Sequence, residues 1–395
     1  MKKDSIVIVG ASRTPIGAMM GGFAPLSASQ LGGTAIKATL KNANVTTDQV
    51  DEILMGNVLS AGQGQAPARQ AGFHAGLGKS IPATTINKMC GSGLKTITMA
   101  HDQLLADNGK VLIAGGMESM TNAPHLLPAM RAGVRLGQSV AVDHMMKDGL
   151  EDAYETGRAM GTFAEDCVDK FKFTREQQDA YSLESLARAK RAQSDGSFAK
   201  EIIPVTVSTR TGDMIVTQDE QPDNARPEKI PHLRPVFKKD GTVTAANSSS
   251  ISDGAAAVVL MRESDAIARN ANIRARIVAH ASHAQEPNWF TTAPVPAMQK
   301  ALKKSGWAAE DVDLWEINEA FAVVPMAAMH ELNLDHSIVN VNGGACALGH
   351  PIGASGARIL VTLINALEAR NMRKGMASLC IGGGEGIALT IERLN

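Results

Sequence analysis

Slid along its own length, the sequence meets itself in a nearly constant register. Leu40-Lys41 through Val50-Asp51 falls against Leu302-Lys303 through Val312-Asp313 at an offset of 262 residues, which aligns a helix, a turn and the start of the next strand. Cys90-Gly91-Ser92-Gly93-Leu94-Lys95 then meets Gly353-Ala354-Ser355-Gly356-Ala357-Arg358 at 263, and Val111 to Gly116 meets Ser378 to Gly383 at 267. Generic strand and helix patterns produce one such coincidence. Three in order, with the drift that loop insertions cause, imply a duplicated domain. Short apolar strands alternate with helix-period segments in both outer thirds, so the class is α/β, with mixed sheets covered by helices. The copies are expected at 1–120 and 271–395. Residues 121–248 between them differ in texture, with a helix expected from Arg175 to Arg191 and a Pro-rich stretch from Gln221-Pro222 to Arg234-Pro235, and read as an inserted loop domain. The apolar run Asp253 to Leu260 brings the chain back, so that 249–270 completes the first copy's sheet.

A chain of 395 residues has room for such an arrangement, and its composition excludes several functions. Lys plus Arg total 39 against 40 Asp plus Glu, so no net field draws in nucleic acid or an anionic membrane, and 4% aromatics disfavour a base-stacking surface. No apolar stretch approaches the ~20 residues of a membrane helix. The four cysteines Cys90, Cys167, Cys346 and Cys380 are too few and scattered to staple the chain, which points to a reducing compartment and a cytoplasmic protein.

Three clusters carry chemistry. Cys90 stands in Asn87-Lys88-Met89-Cys90-Gly91-Ser92-Gly93-Leu94-Lys95, a small-residue turn opening a helix, where the positive end of the dipole favours thiolate. An inert core thiol is the alternative, but Gly91 and Gly93 leave the backbone open to a ligand. His350 stands in a run from Asn342 to Gly356 too rich in glycine for a helix interior, which presents it as a base from a loop. Cys380-Ile381-Gly382-Gly383-Gly384 puts a thiol at a strand end, followed by backbone donors suited to an oxyanion hole. Because Cys90 and Gly353 are equivalent in the repeat, His350 is expected opposite Cys90 across a pseudo-twofold axis. No Cys-x2-Cys knuckle supports Cys90, Cys346, His350 and Cys380 as metal ligands, and no metal is expected. His101 and His125 read as structural or surface residues.

Those segments, together with Gly115-Gly116-Met117-Glu118-Ser119-Met120 and Asn318-Glu319-Ala320-Phe321-Ala322, resemble the thiolases in order and over essentially the whole chain. The resemblance implies a five-layered α/β/α/β/α core of two similar domains plus a loop domain. It also implies coenzyme A thioesters as substrates, without a resident cofactor. The implied activity is that of the short-chain members: condensation of two acetyl-CoA into acetoacetyl-CoA and CoA, and the reverse thiolysis. A broader 3-ketoacyl-CoA thiolase of fatty-acid breakdown is the nearest alternative. A decarboxylating condensing enzyme, which would offer an imidazole near Cys380, and a non-catalytic acyl-CoA carrier are further ones.

The resemblance makes Cys90 the nucleophile, His350 its activator and Cys380 the acid/base at the substrate α-carbon. Asn318, holding a water, would form one oxyanion hole with His350, and the N–H groups of Cys90 and Gly382 another. It assigns Ser249, Leu150, Met160, Phe237, Ala320 and Phe321 to coenzyme A, and Phe290 to the acyl pocket. Departures from the family pattern are Ala159 in place of His, Phe290 in place of Met, Ser250 and Ser252 in place of Gly and Asn, and Asp223 near a usual Arg. The segment Ala123 to Gly137 resembles the tetramerisation loop of short-chain thiolases and implies a homotetramer.

Overall fold

The computed structural model describes residues 4–394 and contains one ten-stranded mixed sheet shared by two half-molecules. The first half supplies β1 (Ile6–Arg13), β2 (Glu52–Gly56), β3 (Ala83–Ile86), β4 (Val111–Ser119) and β5 (Ser252–Arg262). The second supplies β6 (Ala275–Ala284), β7 (Leu314–Ile317), β8 (Lys374–Ile381) and β9 (Glu385–Glu392). Their order is β7-β8-β9-β6-β1-β5-β4-β2-β3, and the short strand Gly17–Ala18 pairs with β5 off this path. Within the sheet, the halves pair through Val7 opposite Arg276 and Ile8 opposite Ala275.

Eight longer helices complete the layers: α1 (Ala28–Ala43), α2 (Pro67–His74), α3 (Ser92–Leu105), α4 (Met160–Phe171), α5 (Arg175–Ser194), α6 (Pro294–Ser305), α7 (Val323–Leu332) and α8 (Ser355–Ala369). α1 and α2 cover the outer face of the first half's sheet, and α6 covers that of the second with α7 beside it. α3 and α8 lie between the two halves' strands, which gives the five layers. Leu94, Ile97 and Leu104 of α3 and Ile359, Leu363 and Leu367 of α8 pack there against Leu54, Leu112, Val258, Leu379 and Leu389. Helices on both faces explain why β1 and β4 are buried at every position and read as continuous runs instead of alternating ones.

The pairing corrects one register. β2 pairs with β4 as Glu52 to Leu112, and β7 with β8 as Leu314 to Gly375. With Glu52 equivalent to Leu314, Leu112 is equivalent to Gly375, an offset of 263, so the match of Val111–Gly116 to Ser378–Gly383 is four residues out. Both segments are apolar and end in paired glycines, which is why sequence alone mistakes one for the other. A β-bulge repeats too, between Ile8 and Gly10 of β1 and between Ile277 and Ala279 of β6. The three residues 382–384 join β8 to β9, whereas 120–251 separate their counterparts β4 and β5. The insertion therefore occupies the place of a hairpin turn. Within it, the helix expected to end at Arg191 runs to Ser194, opened by a reciprocal Thr174 and Gln177 capping box.

Candidate active site

Two glycines bring the site together. A Cβ on Gly93 would lie 2.7 Å from the Ala357 nitrogen, and one on Gly356 would overlap the Leu94 nitrogen. The two positions are equivalent at offset 263, so α3 and α8 meet backbone to backbone at their first turns. Cys90 precedes one helix and His350 the other, and both line the same cavity. Met89 adopts a left-handed conformation, φ 46°. Ser92 secures this turn by accepting from the Lys88 N–H (2.8 Å) and donating to the Met89 carbonyl (2.7 Å).

The cavity measures about 420 Å3 and is mostly apolar. Gly382 lines it, as do Leu150, Met160, Phe237, Ser249, Phe290, Ala320 and Phe321. Ala159 and Ser250 also border it; Ser252 and Asp223 do not. Ser249 is held by Ala320, whose carbonyl accepts both its N–H and its hydroxyl at 3.0 Å. Cys380 and Asn318 are buried behind the wall. Asn318 Nδ2 lies 3.5 Å from His350 Nε2, and Asn318 Oδ1 has no protein partner among the described residues. Cys346 sits to one side, its N–H donated to Glu319, and Cys167 is buried in the outer core of the second half.

The protonation states follow from burial. Desolvation pushes the Cys90 thiol up to about 11, with the Glu118 carboxylate adding to it, against the opposing pull of the Gly382 and Cys90 N–H groups. The dipole-favoured thiolate expected from sequence is therefore corrected: a helix terminus contributes up to about 2 kcal/mol at best, and removal from water outweighs it. Burial likewise raises Cys380, with a charge on Cys90 adding to it. It pushes His350 down to about 3, aided by the positive charge of Arg358, so the imidazole is neutral. The Ser355 hydroxyl donates to the Pro351 carbonyl (3.0 Å), so the 2.6 Å contact with His350 Nδ1 requires Nδ1–H as donor. That tautomer leaves Nε2 unprotonated, its lone pair facing the Asn318 amide and available as a base.

Two buried carboxylates position the loops. Glu118 accepts from the N–H groups of Val58, Leu59 and Gly353 and from Asn57 Nδ2, at 2.7–3.1 Å, and so ties β4 to the turn after His350. Desolvation nevertheless raises it to about 7. Glu319 accepts from Tyr181, Ser185, Asn340 and the Cys346 N–H, and so ties the segment holding Asn318 to α5. The Ser250 carbonyl accepts the His350 N–H at 3.1 Å. Sequence reasoning quoted Glu118, Glu319 and Ser355 without giving them a task; an acid inside an apolar strand was the available signal for Glu118. It also missed the cavity-lining Met120, Met146, Ile251 and Ile352, which carry no chemical signature.

Family models agree with this architecture. The one described as "Thiolase, N-terminal domain" matches residues 6–264, and "Thiolase, C-terminal domain" matches 271–393. An acetyl-CoA acetyltransferase of Escherichia coli strain K12 is 49% identical over 391 residues, covering 98% of this chain and 99% of the relative. One from Rhizobium meliloti is 48% identical over the full length of both. Among solved structures, the Acat5 thiolase from Ascaris suum in complex with coenzyme A superposes with a TM-score of 0.93 at 42% identity, covering 99% of this chain and all of that one. The acetyl-CoA acetyltransferase of Bacillus anthracis does so with a TM-score of 0.96 at 38% identity, covering 99% of each. With both halves matched end to end and relatives near half identity over the full length, the chain belongs to the thiolase family.

Proposed function

We propose that the protein is an acetyl-CoA C-acetyltransferase, a transferase that condenses two acetyl-CoA to acetoacetyl-CoA and CoA and runs the reverse thiolysis through acetyl-Cys90. One observation carries this reading: a protonated thiol and a neutral, tautomer-fixed imidazole share an apolar cavity with the Gly382 backbone donor. Neither partner ionises alone. The proton leaves Cys90 for His350 as sulfur bonds the thioester carbonyl, while the N–H groups of Cys90 and Gly382 hold the developing oxyanion. The departing CoA thiolate takes the Cys380 proton. The resulting Cys380 thiolate removes the α-proton of a second acetyl-CoA, and the carbanion attacks acetyl-Cys90. Collapse frees the Cys90 thiolate, which regains its proton from His350. Cys90 recovers from His350 the proton it gave, and the Cys380 proton that leaves on CoA is replaced by the substrate α-proton, so the net charge of the desolvated cavity does not change. Asn318 and a water at its unpartnered oxygen would serve the second acetyl oxygen alongside His350.

Phe290 narrows the acyl end, backed edge-on by Phe163 at 6.1 Å, which supports short acyl groups. Arg226 and Lys229 line an adjoining cavity of about 280 Å3 that shares Ala245 and Ser250 with the first, a source of positive charge for the nucleotide phosphates where Asp223 offers none. Leu127, Met130, Leu136 and Val140 are exposed on the segment after Ala123, which supports a homotetramer, read by light scattering. No helix of the described residues is long and apolar enough to cross a membrane; the proposed setting is cytoplasmic, in fatty-acid and lipid metabolism. Intact-mass measurement after acetyl-CoA treatment tests the mechanism. An acetyl adduct that maps to Cys90 and is lost in Cys90→Ser supports it, and an active enzyme acylated elsewhere refutes it. Efficient cleavage of C8 over C4 3-ketoacyl-CoA would move the assignment to the broad-chain thiolases.

A further inference from the structure

Away from the cavity, His101 and Asp102 of α3 converge with His280 of β6. They are the one group of three His, Cys, Asp or Glu side chains among the described residues whose ligand atoms all lie within 4.8 Å of one another. His101 Nδ1 and His280 Nε2 each stand 2.9 Å from the same Asp102 oxygen, and the imidazole rings meet edge-on at 5.1 Å. Lys304 Nζ binds the backbone oxygen of His280 at 2.9 Å. We propose that these side chains form a binding site for a divalent first-row transition ion such as Zn2+ or Co2+, which would clamp the first half of the molecule to the second.

The spacing favours this class of ion. Bonds of ~2.1 Å place neighbouring ligand atoms of an octahedral ion ~3.0 Å apart, close to the 2.9 Å that separates each imidazole nitrogen from the carboxylate oxygen, and the positions these three ligands do not fill would go to water. Asp102 is exposed, which supplies that open side, whereas His101 is almost buried and held by its helix. Mg2+ and Ca2+ prefer all-oxygen shells and are not expected to bind. The ion would bridge α3 to β6 across the interior layer. His101 lies eleven residues beyond Cys90, ~16 Å along α3, so the site is outside the catalytic machinery.

Calorimetric titration of the EDTA-treated protein with Zn2+ and with Co2+ tests the proposal. One ion per chain is expected, with binding weakened about 100-fold in His280→Ala and in Asp102→Asn. Acetoacetyl-CoA thiolysis by the metal-free variants should match that of the metal-free parent. Bound Co2+ should show d–d bands without thiolate charge transfer. No binding at millimolar ion, binding equally tight in both variants, or a thiolate band that places the ion on the catalytic cysteines would each overturn it.

Discussion

Replacing Ser355 by Ala removes the acceptor for the His350 Nδ1 proton and takes away no side chain that itself contacts substrate in the proposed mechanism. His350 is buried, so a bare N–H there costs about 1–3 kcal/mol. The imidazole escapes that cost by shifting its proton to Nε2, but it then has no lone pair there to take the Cys90 proton. Either course subtracts about 1–3 kcal/mol from stabilisation of the acylation transition state, a fall in kcat/KM of roughly 5- to 150-fold. The loss belongs in kcat, with KM for CoA nearly unchanged, because Ser355 does not line the cavity. Steady-state thiolysis of acetoacetyl-CoA reads both constants, and thermal unfolding checks that the variant remains folded. A kcat/KM within twofold of the parent would refute Nδ1–H donation to Ser355 as the source of the base's orientation, as would a loss wholly in KM.

Gly356→Ala should destabilise the protein by about 1–3 kcal/mol or prevent folding, because its Cβ overlaps the Leu94 backbone nitrogen, which cannot yield; denaturant midpoints within experimental error of the parent's would contradict the close helix contact. His350 is held near 3 when folded and titrates at ~6.5 when unfolded, so the unfolded chain binds the extra proton between those values. Its neutral burial therefore contributes fully above pH 6.5 and is lost as pH falls, about 2 kcal/mol by pH 5, and urea unfolding at pH 7 and 5 should show less of this acid loss in His350→Asn. Equal acid sensitivity in the two proteins would count against a buried neutral imidazole. Phe290→Ala should raise the C8 to C4 ratio of kcat/KM while lowering stability by about 3–5 kcal/mol; a ratio unmoved by the substitution would show that another residue limits chain length.

Much of the fold was legible because a duplicated α/β chain repeats its helix and turn signals, and Gly93 and Gly356 stand at equivalent places in both copies. The β4 to β8 register was not, since apolar strands ending in glycine pairs match at several offsets, and backbone pairing alone selects one. In the site, residues with distinctive chemistry were legible: Cys90 and His350 stand in glycine-rich turns that no core helix would use, and Cys380 stands near the end of β8 just before another. Met120, Met146 and Ile352 were not, because a methionine or isoleucine looks the same in a core as in a cavity wall.

The sequence by itself determined which groups are available and that two copies of one unit present them from opposite sides. It pointed to the wrong ionisation of Cys90, because a helix terminus is a local feature whereas desolvation is the sum of everything packed around a side chain. The elements that surround Cys90 and His350 come from both halves and from the insertion, far apart in the chain. Only their assembly decides that thiol and imidazole both rest neutral.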